Sequence, residues 1–213
     1  MDPFGRHLDY LRISVTDRCN ERCLYCMPEG YRGWAQRADH LRADEIVRVV
    51  ATATTLGFRK FRLTGGEPLV RSDIVEIARR IWDLPGVQTL GISTNGLLLK
   101  ELALPLKQAG VRSVNISLDT LDPAVYQRLT GGRLATALAG IGAAAATGFE
   151  VVKLNCVLLR GLNEDQVVPA LRSGTSASTG LPYAIQGAIA NKPENHTFTE
   201  DFQTTRPMTA IGG

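Results

Sequence analysis

Cysteine and histidine are scarce in this chain, four and three among 213 residues. A disulfide framework suits a short secreted chain, and the N-terminal run MDPFGRHLDYLRISV has no basic region followed by an apolar run and a small-residue cleavage site, so a cytoplasmic address is expected instead. No apolar stretch approaches the roughly 20 residues needed to cross a bilayer, and no membrane association is expected. Aromatic residues make up only 6% of the chain, and no Lys/Arg runs with interleaved aromatics occur, which leaves no footprint for nucleic acid. The net charge of +3 suits an anionic substrate but informs little more. What is present is the material of one folded domain, since 44% hydrophobic content over this length is enough for a core.

Three of the four cysteines lie together, Cys19, Cys23 and Cys26 in CNERCLYC. A cubic 4Fe-4S cluster takes thiolates at its iron corners, and three ligands leave one iron free to bind and reduce something else. A zinc site would want a fourth ligand nearby, and His40, the nearest histidine in sequence, stands apart from His7 and His196. One buried helix stripe would also give the i, i+4, i+7 spacing, but Asn20, Pro28 and Gly30 bracket the cysteines with turn residues. The spacing therefore favours a cluster over zinc or packing. Cys156, in the apolar run KLNCVLL, is most simply a small buried hydrophobe.

Strands and helices alternate along the chain. Apolar runs predict strands over residues 11–15, 58–64, 87–94, 113–118 and 151–159, and helical spacing predicts helices over 46–56, 74–84, 97–109 and 134–147. Repeated beta-alpha order requires right-handed crossovers and a parallel sheet with helices outside, as a barrel or a doubly wound sheet. In such folds the functional face is built by loops leaving the C-terminal ends of the strands. The distinctive motifs fall there: the cysteine loop after strand one, LTGGEP (63–68) after strand two, STNG (93–96) after strand three and NISLD (115–119) on strand four. Gly65 and Gly66 remove side chains where a ligand could approach the backbone, and Glu67 can accept a bond from an amine, although a Gly-Gly-Glu-Pro is by itself an ordinary turn.

In this order the motifs resemble the radical S-adenosylmethionine (SAM) superfamily, through CxxxCxxC after strand one and GGEP after strand two. The runs YLRISVTDRCN (10–20), YCMPEG (25–30), LTGGEPLVR (63–71), TNGLLLK (94–100), VKLNCVLLRGLNEDQ (152–166) and RPMTAIGG (206–213) are similar to the GTP 3',8-cyclase family of molybdenum-cofactor biosynthesis. The resemblance implies one 4Fe-4S cluster held by Cys19, Cys23 and Cys26, with SAM as the second cofactor and GTP as substrate. It places Tyr25, Gly66 and Ser117 against SAM, and Arg12, Arg62, Ser93 and Lys153 against GTP, with serine at position 93 where the family usually has threonine. Gly212 and Gly213 would reach into the barrel to support the chemistry, guided by Arg206. An electron donor is implied, and a second copy of the chain or the next enzyme of the pathway would be a further partner.

The main departure lies in the C-terminal third, where the family has a further barrel strand and three more cysteines for a second cluster, whereas this chain passes from NEDQVVPA (163–170) into a stretch resembling the family's last helix and tail. The expected fold is a partial parallel beta-alpha barrel, open, lacking its last strand and the second-cluster segment, with an unpaired edge near residues 151–159. The expected organisation is a radical SAM core over 1–172, a connector over 173–182 rich in Ser, Thr, Gly and Pro, and a family-like C-terminal helix and Gly-Gly tail over 183–213. Three functions follow: an active cyclase, a protein that binds cluster and SAM without completing cyclisation, or a non-catalytic remnant.

Overall fold

Residues 8–26, 40–166 and 189–190 are described by the structure, a computed structural model. Five strands, β1 (Tyr10–Ser14), β2 (Lys60–Thr64), β3 (Thr89–Thr94), β4 (Ser113–Ser117) and β5 (Val151–Asn155), form one sheet in the order of the sequence. All four pairings are parallel, so every strand ends at the same edge of the fold. Helices α1 (Ala43–Thr55), α2 (Ile74–Trp82), α3 (Leu99–Gln108), α4 (Pro123–Thr130) and α5 (Leu134–Thr147) connect them. The sheet is open among the described residues, and β1 and β5 are its edges.

The alternation of side chains along each strand divides the sheet into two unlike faces. Phe61, Leu63, Leu90, Ile92, Val114, Ile116, Val152 and Leu154 are buried on one face, in the same core as Ile46, Val50, Ile77, Ile81, Leu99 and Leu106 of the helices. Helices α1, α2, α3 and α5 present apolar residues three and four apart to that core, as Ile74, Ile77, Ala78 and Ile81 do on α2, while α4 contributes Tyr126. The opposite face carries Tyr10, Arg12, Ser14, Lys60, Arg62, Thr64, Ser93, Asn115, Ser117, Lys153 and Asn155 at the alternate positions. A closed hydrophobic barrel interior would not use these residues; a lining for a polar ligand would.

Two elements differ from the sequence reading. Helix α4 was not expected, yet its ends are well specified: Asp122 Oδ1 accepts bonds from the amides of Ala124 and Val125, Pro123 occupies the first turn, and Gly131 closes the helix at φ 71°. The last strand, expected to run continuously to Leu159, ends at Asn155. Leu158–Leu159 forms a short strand β6 that pairs in parallel with β7 (Ile189–Ala190) in a separate two-stranded sheet. The break lies where Asp119 Oδ1 accepts the amide of Val157 at 2.8 Å and Asn163 Nδ2 donates to the Val157 carbonyl at 2.8 Å, diverting both groups from any ladder. The expected connector at 173–182 lies outside the described residues, as does the terminal segment apart from the backbone of 189–190.

Candidate functional site

The cysteine loop leaves β1 and is held from behind by four other segments. The loop after β2 docks on it directly: the amide of Gly66 donates to the Thr16 carbonyl at 2.8 Å, and that of Glu67 to the Arg18 carbonyl at 2.7 Å. A Cβ on Gly65 would stand 2.2 Å from the Thr16 oxygen, and one on Gly66 would stand 2.4 Å from the Arg18 oxygen. The two glycines are thus required by the approach of one loop to another. The loop after β3 contributes Asn95, whose Nδ2 donates to Asn20 Oδ1 at 2.7 Å. Helix α4 accepts the amides of Arg22 and Leu24 on the carbonyls of Thr130 and Leu129. From the end of β4, Asp119 Oδ2 accepts the Tyr25 hydroxyl at 2.6 Å.

Buried carboxylates knit these contacts together. Glu21, between the first two cysteines, is buried and accepts the Tyr126 hydroxyl at 2.8 Å. Glu67 accepts from the Leu69 amide, the Thr94 hydroxyl and the Asn95 amide, linking the exits of β2 and β3. Asp119 is secured in turn by Asn163, fully buried, whose Nδ2 donates to the Asp119 carbonyl and whose Oδ1 accepts the Leu159 amide. Burial raises Glu21 and Asp119 above the ordinary carboxylate range and pushes Glu67 up to about 7. Glu21, Tyr126, Asp119 and Asn163 had no assigned role in the sequence reading. The signals available in sequence were that Glu21 lies inside the cysteine motif, that Asp119 ends NISLD and that Asn163 lies in the 152–166 run.

The shift at Glu67 has a stability consequence. An acid whose folded pKa lies above its unfolded value is protonated more readily in the native state, so its contribution is fully present below about pH 4.5 and is lost as pH rises through about 7. The loss amounts to about 3 kcal/mol, taking 1.36 kcal/mol per pH unit. The melting temperature of wild type relative to Glu67→Gln, which cannot ionise, is therefore expected to fall across that window and level off above it. A difference that is flat from pH 4.5 to 7.5 contradicts this account.

The thiols of Cys19 and Cys23 are half-buried and that of Cys26 is exposed. Burial raises Cys19 and pushes Cys23 up to about 12, with no cation lowering either, which is the opposite of a nucleophilic cysteine's environment. Among the described residues no three His, Cys, Asp or Glu side chains gather as a single metal ion needs. His40, isolated in sequence, has its Nε2 2.8 Å from Asp17 Oδ1 and does not complete a zinc set. A cube takes its thiolates at separate corners, so three thiols spread along one anchored loop fit a cluster better than a lone ion. The Glu21 amide already points at Cys19 Sγ, 3.4 Å away, as N–H groups do at cluster thiolates.

The four residues read as GTP contacts fall on the polar sheet face. The register sets Arg12 beside Arg62, and Ser93, Asn115 and Lys153 in one row across β3, β4 and β5. Arg12 and Lys153 are exposed and Arg62 and Ser93 half-buried, while Ser117 is exposed at the end of β4, towards the cysteine loop. Gly212 and Gly213 lie outside the described residues.

The profile of the Radical SAM superfamily matches residues 13–173. The chain belongs to the radical SAM superfamily. This radical SAM protein is 51% identical to a GTP 3',8-cyclase of Pelotomaculum thermopropionicum over 168 residues, covering 78% of this chain and 52% of that one. It is 49% identical to a GTP 3',8-cyclase of Pseudomonas putida over 202 residues, covering 93% of this chain and 60% of that one. The chain therefore spans between half and two thirds of the length of these curated relatives. Among solved structures, Streptococcus suis SuiB bound to S-adenosylmethionine superposes with a TM-score of 0.68 at 19% identity, covering 90% of this chain and 42% of that one. Methylornithine synthase (PylB) gives 0.66 at 18%, covering 93% and 58%. These likenesses establish the fold as a partial beta-alpha barrel, and the superfamily carries with it one 4Fe-4S cluster and SAM.

Proposed function

We propose that this radical SAM protein is a GTP 3',8-cyclase, converting GTP to the cyclic pterin precursor of molybdenum cofactor. The observation that carries this reading is the charge of the polar face. Its fifteen alternate strand positions, three on each strand, include Arg12, Lys60, Arg62 and Lys153 and not one Asp or Glu. Lys60 is paired with Asp9 Oδ2 at 2.9 Å, whereas Arg12, Arg62 and Lys153 form no ion pair with a described carboxylate, and three such cations on one face suit a triphosphate. The 49–51% identity to curated GTP 3',8-cyclases agrees with it.

In this reading Cys19, Cys23 and Cys26 hold the cluster, and Tyr25, Gly66 and Ser117 contact SAM. When bound, the two cofactors together supply a carbon-centred radical able to take a hydrogen atom from the ribose of GTP. The chain's own contribution is position. Arg12, Arg62 and Lys153 neutralise the triphosphate, Ser93 offers a hydroxyl to the nucleotide, and the row from Ser93 to Lys153 lies near the strand ends from which the motif loops leave, which would hold the ribose within reach. Tyr25, fixed through Asp119, lends its ring to the adenine. Gly212 and Gly213, with Arg206, would enter the same mouth, and residues 173–182 would connect the barrel remnant to them.

One observation favours a second reading, in which the chain binds cluster and SAM but does not complete cyclisation. Its only other cysteine, Cys156, is buried and offers no three-thiolate site for a second cluster. Anaerobic reconstitution followed by assay for 5'-deoxyadenosine with and without GTP separates the two. A pterin precursor formed with GTP is expected if the cyclase reading is right. Four irons with SAM cleavage but no precursor selects the second reading, and no cluster at all selects a non-catalytic remnant.

A further inference from the structure

Arg62 is held in an unusual way for a half-buried arginine. Its Nε donates to the Tyr10 hydroxyl at 2.9 Å, Nη1 to the Ile92 carbonyl at 2.9 Å and Nη2 to Ser113 Oγ at 3.0 Å. The guanidinium therefore reaches from β1 across β3 to β4. It can do so because position 91, its neighbour in the register, has no side chain: a Cβ there would lie 2.8 Å from Nη2 and 2.9 Å from Cζ. None of these three acceptors is a carboxylate, so they fix the group's orientation without neutralising it. Arg12, next to it in the register, adds a second positive charge. An arginine recruited only to brace the sheet would be expected to find a carboxylate rather than another arginine.

We infer that Tyr10, Gly91 and Ser113 are positioning residues that form a cradle for Arg62, presetting its guanidinium to meet the phosphate chain of a nucleotide. The inference rests on the GTP-binding reading and deepens it. A guanidinium carries five N–H groups, and the three bonds leave two for a ligand. Their direction is fixed by the fork geometry once the other three are engaged. Because the side chain is already ordered, binding need not remove its rotamer freedom, which is where preorganisation raises affinity. Ser93, Asn115 and Lys153 lie two positions further along the strands, placing the cradle towards the N-terminal end of the polar face and away from the cysteine loop.

Calorimetric titration of the full chain with GTP, and separately with inorganic tripolyphosphate, tests this. Arg62→Gln and Arg62→Lys are expected to weaken both ligands at least about tenfold, since an ammonium cannot reproduce the fork. Tyr10→Phe, at a residue 45% exposed, loses only a hydroxyl and is expected to weaken both about fivefold, the size of one lost hydrogen bond. The same change made in the Arg62→Gln background is expected to have no further effect. Arg80→Gln, on α2 away from the polar face, serves as the charge-loss control and is expected to bind as wild type. No binding by wild type overturns the GTP-binding reading and the cradle with it, whereas binding by wild type with equal binding by both Arg62 variants overturns the cradle alone. Weak binding by the Arg62 variants with wild-type binding by Tyr10→Phe, or additive losses in the double variant, overturns the cradle alone.

Discussion

Replacing Cys23 with alanine is expected to remove most of the iron from the reconstituted chain, and with it the broad visible absorption, whereas Cys156→Ala keeps both. The two thiols are alike in one respect, since burial pushes each up to about 12. They differ in what surrounds them. Cys23 lies on the anchored loop with two further thiols, Cys19 and Cys26, and a cube that loses one of three protein thiolates has no replacement among the described residues. Cys156 lies in the link between β5 and β6, 7% exposed, with Sγ 3.5 Å from the Asp119 carbonyl. Its neighbours are those of a small packed hydrophobe. Iron and sulfide analysis of the two variants side by side checks this, and equal losses from both would show the ligand assignment to be wrong.

The alternation of strands and helices was legible because it depends on local pattern. Period-two burial in Phe61, Leu63, Leu90 and Ile92 and the period of α2 are written directly into the sequence. The parallel sheet follows from the order, and so does the gathering of the four motif loops at one end. Helix α4 was passed over because eight residues with a weak apolar stripe give little periodic signal. Its caps, Asp122-Pro123 at one end and Gly131 at the other, were the readable clue. The end of β5 at Asn155 was not readable at all, because it is set by Asp119 and Asn163, at 38 and 6 residues from Val157.

At the site, the sequence identified residue types and missed what they lean on. The four proposed GTP contacts share one face because their positions along the strands have matching parity, which an alternation argument can follow. That Arg62 would engage Tyr10 and Ser113, 52 and 51 residues away in sequence, required the register. The partnership of Glu21 with Tyr126, 105 residues apart, is likewise tertiary. The glycine pair at 65–66 carried a real signal, close backbone approach, but the sequence could not say which backbone approached.

That ambiguity makes Gly66→Ala decisive. A Cβ at position 66 meets the Arg18 carbonyl at 2.4 Å and the Asp17 carbonyl at 2.5 Å, both backbone atoms that no rotamer change can move. The two loops must then separate, which breaks the Gly66-to-Thr16 and Glu67-to-Arg18 bonds immediately before Cys19. Two lost hydrogen bonds at about 1 kcal/mol each lower the melting temperature by roughly 4–8 °C in a domain of this size. The larger effect is on cluster loading: a cysteine loop detached from its backing presents its three thiols in many arrangements, and iron content is expected to fall about tenfold while the sheet stays folded. A glycine needed only to let SAM approach would behave differently. It would keep iron and melting temperature at wild-type values and lose SAM affinity alone. Iron analysis, thermal melting and equilibrium dialysis with SAM on the same preparation distinguish the two, and full iron with lost SAM binding would show that Gly66 serves the ligand alone and does not dock the loop that carries the three cysteines.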